Sequence, residues 1–335
     1  MKIFSTNTCP VPNDLESVIH HKDEVPAELG GMSEQQVQKI WKSIESLYKT
    51  GNYPLITFCL RRQGKILLNR SIGYAQGNSP AGLQENALIA TPDTPVCLFS
   101  ASKMITAMLI HLLDEILRRL YAARPVSPAG NHLAYHAVTA GYILGEIIER
   151  VTGQDLRKFV HETIEKPMDM PYFNYGLKPE YRAEVALNCA TGLHPRLGTD
   201  HYLNHVLGGG LQLAVDVTND SRFMDTICPA GNIYTSAEQA GRFFEMLLSG
   251  GSYQGKQILS EKTIFRATLP TTGVNIDRTL LIPMRYALGP MLGSNPVGLF
   301  GPMTGQAFGH LGFSNILCWA DPERDISVSL LTTGK

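Results

Sequence analysis

The sequence predicts an α+β fold: an antiparallel sheet built from both ends of the chain, flanked by helices, with a mainly helical lobe inserted between them. Three observations carry this reading. β-rich runs crowd the two ends, at 55–75 and again between 285 and 333. Helix-patterned runs occupy the middle. The two kinds of run never alternate strand by helix, as a doubly wound parallel sheet would require.

In chain order, residues 1–32 are punctuated by proline and charge and read as an extended N-terminal arm. Ser33 opens a helix, with Gln36 placed to complete a capping box. Val37, Ile40, Trp41, Ile44 and Leu47 recur at helical spacing, and Gly51 stops the run. The stretch LITFCLRRQGKILLNRSIGYA folds on itself at Arg62-Gln63-Gly64-Lys65, which signals a hairpin. A second helix starts near Ser100. A third covers His136–Val151 and stops at Thr152-Gly153, and a fourth follows over Asp155–Ile164. Residues 167–232 are rich in proline and glycine and read as loops and short elements. TSAEQAGRFFEMLLSGG, at 235–251, is a helix that Ser236 can cap and Gly250 and Gly251 can end. RYALGPML, NILCWAD and DISVSLLTT are strands, the last two joined by the Asp321-Pro322-Glu323-Arg324 turn.

Composition narrows the function classes. The 335 residues are 44% hydrophobic with a net charge of −1, enough chain for a large core and no hint of a nucleic-acid groove or polybasic membrane patch. Cys9, Cys59, Cys97, Cys189, Cys228 and Cys318 lack zinc-ligand spacing and read as buried free thiols of a reducing compartment. No run is long enough for a membrane span, and MKIFSTNTCPVPNDLE has no apolar leader core. The expectation is therefore a cytoplasmic protein with no integral membrane segment, no nucleic-acid partner, no metal and no cofactor.

The chemistry points to FSASKMITAM. Ser100 and Lys103, three apart at a helix start, share one face. A helix N-terminus directs N–H groups and positive potential at the serine. A hydroxyl needs a base to become a nucleophile, and a lysine with an adjusted pKa supplies one. The spacing alone is weak evidence, because Ser46-Leu47-Tyr48-Lys49 repeats it in the last turns of a helix. Ser102, beside Lys103, points away from it.

Three further patches follow FSASK in order: YHAVTAGYILGEIIERVTG, PAGNIYTSAEQAGRFFEMLLSGG and FGHLGFSN. Together they resemble the serine β-lactamase-like superfamily, with its class C β-lactamases and DD-peptidases, and most of all its esterase branch, the family VIII carboxylesterases. The resemblance spans about 55–335. It implies the β-lactamase/DD-peptidase fold, with residues 33–335 as a single catalytic domain: a sheet lobe over about 33–98 and 255–335, and a helical lobe over about 99–254. It also implies roles. Ser100 matches the acylated nucleophile and Lys103 its partner. Tyr135 matches the tyrosine of the Tyr-x-Asn motif, which relays a proton between the serine and the leaving group. His310-Leu311-Gly312 matches the Lys-Thr-Gly strand, so that His310 and Gly312 line the site. The backbone N–H groups of Ser100 and Phe313 form the oxyanion hole.

Two departures bear on the substrate. Ala137 replaces the asparagine of Tyr-x-Asn, and His310, mostly neutral at pH 7, replaces the lysine that would meet a substrate carboxylate. Both favour an uncharged small-molecule ester. β-Lactamase or DD-peptidase chemistry and acyl transfer are the alternatives, and a silent binding protein stands behind them. Only 32 residues separate Lys103 from Tyr135. The resemblance therefore implies a segment missing near Glu115-Ile116, and a further helix after the last strand; the alternative is one continuous helix, since Met104, Met108, Leu112, Ile116 and Leu120 keep helical spacing through the junction.

Other signals fail on context. GGSYQGKQ lacks the Ser/Thr of a phosphate loop and follows a helix. His201 and His205 have ligand spacing but no third partner. No Gly-x-Ser-x-Gly elbow exists.

Overall fold

The computed structural model describes residues 6–110, 133–193, 204 and 209–334. The Glu115-Ile116 junction and the His201/His205 pair lie outside them.

The sheet does join the two ends of the chain. Its strands are β1 (Ile19–His21), β2 (Leu55–Arg62), β3 (Lys65–Ser79), β4 (Gly82–Ile89), β5 (Met291–Leu292), β6 (Phe308–Gly312), β7 (Ile316–Asp321) and β8 (Ile326–Thr332). Their order is β5-β6-β7-β8-β2-β3-β1, with β4 also on β3. Every pairing is antiparallel. The C-terminal β8 meets the early β2 over the register Ile326↔Arg62 to Thr332↔Ile56. The β2–β3 hairpin turns at Gln63 and Gly64, with φ of +51° and +70°, the two positive values a tight primed turn requires. The β7–β8 hairpin turns at the expected Asp321–Arg324 stretch, where the Glu323 N–H donates to Asp321. The stretch read as an extended arm contributes β1 to the sheet edge through Ile19↔Ile72. Its three residues pair with β3 and Ile19 packs on the α1 side of the core, but the strand is too short for apolar alternation to announce it.

β2 shows why its sequence is an unbroken apolar run. Period-two alternation sends Ile56, Phe58 and Leu60 to one face and Leu55 and Cys59 to the other, and both faces are covered. On the first face lies α1 (Glu34–Tyr48), capped by Ser33 and Gln36 in the expected box, with Val37, Trp41, Ile44 and Tyr48 buried. On the second face lies α7 (Ala237–Leu248), capped by Ser236, with Phe243, Phe244 and Leu247 in the core.

The helical lobe comprises α2 (Ser102–Ile110), α3 (Thr139–Thr152), α4 (Leu156–Val160), α5 (Leu211–Asn219) and α6 (Ser221–Asp225). α3 starts three residues later than its pattern suggested and ends at Gly153, φ +67°. The fourth helix divides into α4 and a π-helical turn over His161–Glu165. α5 and α6 arise in a stretch read as loop and short elements. From Ala101 to Leu109, α2 is buried on all sides except at the partly accessible Lys103. This makes α2 the central post of the molecule and sets its one cation deep inside.

Candidate active site

The site grows from the turn that feeds α2. Val96–Cys97 pairs with Ile233–Thr235, and the Leu98 N–H donates to the Ile233 carbonyl at 2.8 Å. Phe99 then adopts φ +47°, a left-handed conformation that costs a non-glycine residue roughly 1–3 kcal/mol. This reverses the chain between strand and helix and sets Ser100 in a 3₁₀ turn, Phe99–Ala101, immediately ahead of α2. The surroundings hold the reversal in place: Phe99 packs edge-on against Phe313 at 5.7 Å, and Ser102, fully buried, accepts the Ile233 N–H at 3.0 Å. The Ser102 hydroxyl is thus committed to structure and faces away from the site.

Lys103 Nζ donates to Ser100 Oγ at 3.0 Å and to the Ala230 carbonyl at 2.7 Å. Burial pulls the lysine down from its usual range to about 7, the Cys228 thiol opposing slightly. The Ala230 carbonyl is a partner that sequence reasoning missed, although PAGN was noted as a patch. Its position depends on α3: a Cβ on Gly141 would lie 2.4 Å from the Ala230 nitrogen, so only glycine lets the helix sit this close.

Tyr135 and His310 converge on the same amine. Lys103 Nζ stands 5.1 Å from the Tyr135 ring centre, and the His310 ring lies 5.8 Å from that of Tyr135. The Tyr135 hydroxyl is buried and makes no hydrogen bond of normal geometry among the described residues. Burial raises its pKa well above the ordinary phenol range, and Ser100 is close enough to oppose part of that rise. His310 is 2% exposed, and its Nδ1 faces the Leu311 carbonyl at 2.7 Å. A carbonyl only accepts, so Nδ1 carries the proton. Burial first, then the neighbouring Lys103 charge, lowers the imidazole to about 3, so the ring is neutral across the physiological range.

The glycine of His-Leu-Gly has a geometric reason. A Cβ on Gly312 would lie 2.6 Å from the Leu98 carbonyl oxygen. This close approach of β6 to the turn that carries Ser100 brings Phe313 beside Phe99 and Ser100. Six of the expected residues therefore meet in one place: Ser100, Lys103, Tyr135, His310, Gly312 and Phe313. Ser46 and Lys49 remain on the exposed side of α1, where Ser46 Oγ donates to its own helix at the Lys42 carbonyl, 2.8 Å away.

A cavity of about 410 Å³ opens on Ser100, lined by Ala137, Val138, Leu213, Val217, Phe223 and Phe313 among others. A second, of about 280 Å³, lies on the Lys103, Tyr135, Tyr286 and His310 side. A larger cavity of about 520 Å³ lies elsewhere, beside Arg157, Glu165 and Lys178. Its charges are already engaged: Lys178 and His161 with Glu165, and Arg157 with the carbonyls of Tyr175 and Thr226. Among the described residues, no three His, Cys, Asp or Glu side chains group as a metal site would need, and no helix is long and apolar enough to cross a membrane. Cys97, three residues before Ser100, is buried and its thiol is pushed up to about 12 by desolvation, the wrong direction for a nucleophile.

Comparison with known proteins agrees with this architecture. A family model described as Beta-lactamase matches residues 111–335, which includes Tyr135 and the His310–Phe313 strand end and begins after Lys103. Esterase/beta-lactamase LipL of Mycobacterium tuberculosis is 27% identical over 242 residues, covering 66% of this chain and 53% of LipL. N-acetylmuramyl-L-alanine amidase of Bacillus subtilis is 25% identical over 212 residues, 58% of this chain and 43% of that protein. The chain thus spans about half the length of the curated relatives it matches. Among solved structures, a family VIII carboxylesterase superposes with a TM-score of 0.73 at 20% identity, covering 91% of this chain and 93% of that one. A penicillin-binding protein homologue from Caulobacter crescentus gives 0.70 at 20%, covering 90% and 93%. These superpositions establish a β-lactamase/DD-peptidase-like α+β fold.

Proposed function

The chain belongs to the Beta-lactamase family, and from that premise we propose that it is a serine carboxylesterase acting through an acyl-enzyme on Ser100. The observation that carries the proposal is the 3.0 Å contact between Ser100 Oγ and an amine whose burial brings its pKa to about 7. Near neutrality much of Lys103 is uncharged and can accept the Ser100 proton, which a solvated lysine cannot.

Ser100 Oγ attacks the ester carbonyl carbon as its proton passes to Lys103 Nζ. The tetrahedral oxyanion rests on the backbone N–H groups of Ser100 and Phe313. When the carbon–oxygen bond to the alcohol breaks, Tyr135 gives its phenolic proton to the departing oxygen and takes one back from the Lys103 ammonium. Water repeats the sequence in reverse and releases the carboxylic acid. The Tyr135 hydroxyl suits a relay: among the described residues it lies close to Ser100 with no other hydrogen-bond partner, and it stays protonated at neutral pH.

Substrate preference follows from charge and lining. A neutral, buried His310 offers a carboxylate no permanent cation, and Ala137 offers no amide. The apolar wall of Val138, Leu213, Val217 and Phe223 suits an uncharged acyl group. LipL is called both esterase and β-lactamase; the two departures at Ala137 and His310 favour the first activity here. Turnover of p-nitrophenyl butyrate against a chromogenic cephalosporin tests this directly. The expected result is saturable ester hydrolysis, a Ser100 adduct with a fluorophosphonate, and only trace cephalosporin turnover. Faster cephalosporin than ester hydrolysis would reassign the chain to lactam chemistry.

A further inference from the structure

We propose that Asp277 positions Tyr135, holding the backbone that aims the phenol at the leaving group. The inference rests on the relay reading of Tyr135 given above.

Asp277 is fully buried, and among the described residues its carboxylate takes four hydrogen bonds. Oδ1 accepts from the backbone N–H groups of Thr279 and Leu280, both at 2.8 Å, and of Tyr135 at 3.2 Å. Oδ2 accepts from the Tyr286 hydroxyl at 3.0 Å. Capping its own turn accounts for only two of these. The bond to Tyr135 crosses 142 residues of sequence. Beside it, the Arg278 N–H donates to the Leu133 carbonyl at 2.8 Å, so residues 277–278 clamp 133–135 at two points.

The clamp matters because Tyr135 has no ladder of its own. It precedes α3 in backbone that is neither helix nor strand. Among the described residues its hydroxyl makes no hydrogen bond of normal geometry, Ser100 being its near neighbour, so the far end of the ring is not pinned. Among the described residues, the titratable and polar groups facing it include Lys103, His310, Ser100, Tyr286 and Asp277. Of these, the structure shows only Asp277 bonded to its backbone. A carboxylate bonds an N–H more strongly than a neutral acceptor does, and its burial is tolerable only while its donors stay in place. Asp277 and Tyr135 thus hold each other in register.

A displaced relay has a chemical signature that general damage lacks. Expulsion of p-nitrophenolate needs little protonation, whereas an ethoxide must gain a proton as it leaves. The acylation rates of ethyl butyrate and p-nitrophenyl butyrate, read as kcat/KM, separate the two. Asp277→Ala should lower the ethyl ester rate roughly 10- to 100-fold more than the p-nitrophenyl ester rate. Asp277→Asn keeps an acceptor for the three N–H groups and should recover most of the loss. In a Tyr135→Phe background, Asp277→Ala should cost the ethyl ester nothing further, since both changes act on one group. If Asp277→Ala folds poorly, Tyr286→Phe removes only the hydroxyl donor and should show a smaller ethyl-selective loss.

Equal losses on both esters, or an undiminished loss in the Tyr135→Phe background, would overturn the positioning role while leaving the relay intact. An unaltered ethyl ester rate in Tyr135→Phe itself would overturn the relay, and the inference with it.

Discussion

Two serines in this chain sit three residues before a lysine, and the fold treats them oppositely. Ser46 and Lys49 lie at the exposed end of α1, and the serine hydroxyl is spent on the Lys42 carbonyl of its own helix. Ser100 and Lys103 straddle the start of α2, behind a residue at φ +47°, inside the lobe. There the lysine bonds the serine and the Ala230 carbonyl, and burial draws its pKa down to about 7. The spacing brings two side chains together in either place. Desolvation lowers the pKa of one of the lysines, which suits it to the base role proposed for it.

Removal of each serine gives the largest expected contrast. Ser100→Ala should cost ester turnover on the order of 10⁴–10⁶-fold and abolish fluorophosphonate labelling, as loss of a nucleophile does. Ser46→Ala should leave both unchanged. Peptide mapping that places the label on Ser46 or Ser102 would end the assignment.

The lysines come next. Lys103→Met should lose about 10²–10⁴-fold in kcat/KM, and Lys49→Met almost nothing. In the parent protein, kcat/KM should fall as pH drops through about 7, where Lys103 gains its proton. Stability carries the same sign. A lysine depressed to about 7 in the folded state but near 10.5 when unfolded leaves the unfolded chain binding more protons between those values. Stability from this group therefore rises as pH climbs from 7 towards 10.5, and Lys103→Met should flatten that slope in urea titrations. A slope unchanged by the substitution would mean that the amine is solvated after all.

Gly312→Ala comes third. Its Cβ would meet the Leu98 carbonyl oxygen, so either β6 or the turn that carries Ser100 has to move. Overpacking of this kind costs about 1–3 kcal/mol, and here it should also displace the Ser100 and Phe313 N–H groups proposed as the oxyanion hole. Thermal melts and kcat should both fall; retention of both would remove the argument for a close approach. The smallest effect belongs to Cys97→Ala, which should keep esterase activity and lose about 1 kcal/mol of stability. Loss of turnover matching that of Ser100→Ala would instead make the thiol part of the chemistry.

Much of the fold was legible because its signals are local. The Ser33–Gln36 capping box, the Gln63-Gly64 turn, the Ser236 cap and the apolar runs of β2, β7 and β8 each depend on a few consecutive residues. Short strands such as β1, and α5 and α6 within a loop-like stretch, were hidden because packing rather than pattern stabilises them. The Ser-x-x-Lys pair, Tyr135 and His-Leu-Gly could be singled out from motif order. Asp277 could not: Asp-x-Thr announces an Asx turn, and nothing local says that its remaining lone pairs reach Tyr135.

Residue order alone thus settled which side chains stand three apart on one helical face, where helices are capped, and where hairpins turn. Those outcomes depend on backbone geometry and nearest neighbours. Folding in three dimensions settled the rest: that Ala230 faces Lys103, that His310 is buried and neutral, and that Asp277 bonds Tyr135 across 142 residues. The physical reason is that a pKa or a buried hydrogen bond depends on everything that excludes water from the site, and that shell is assembled from distant parts of the chain.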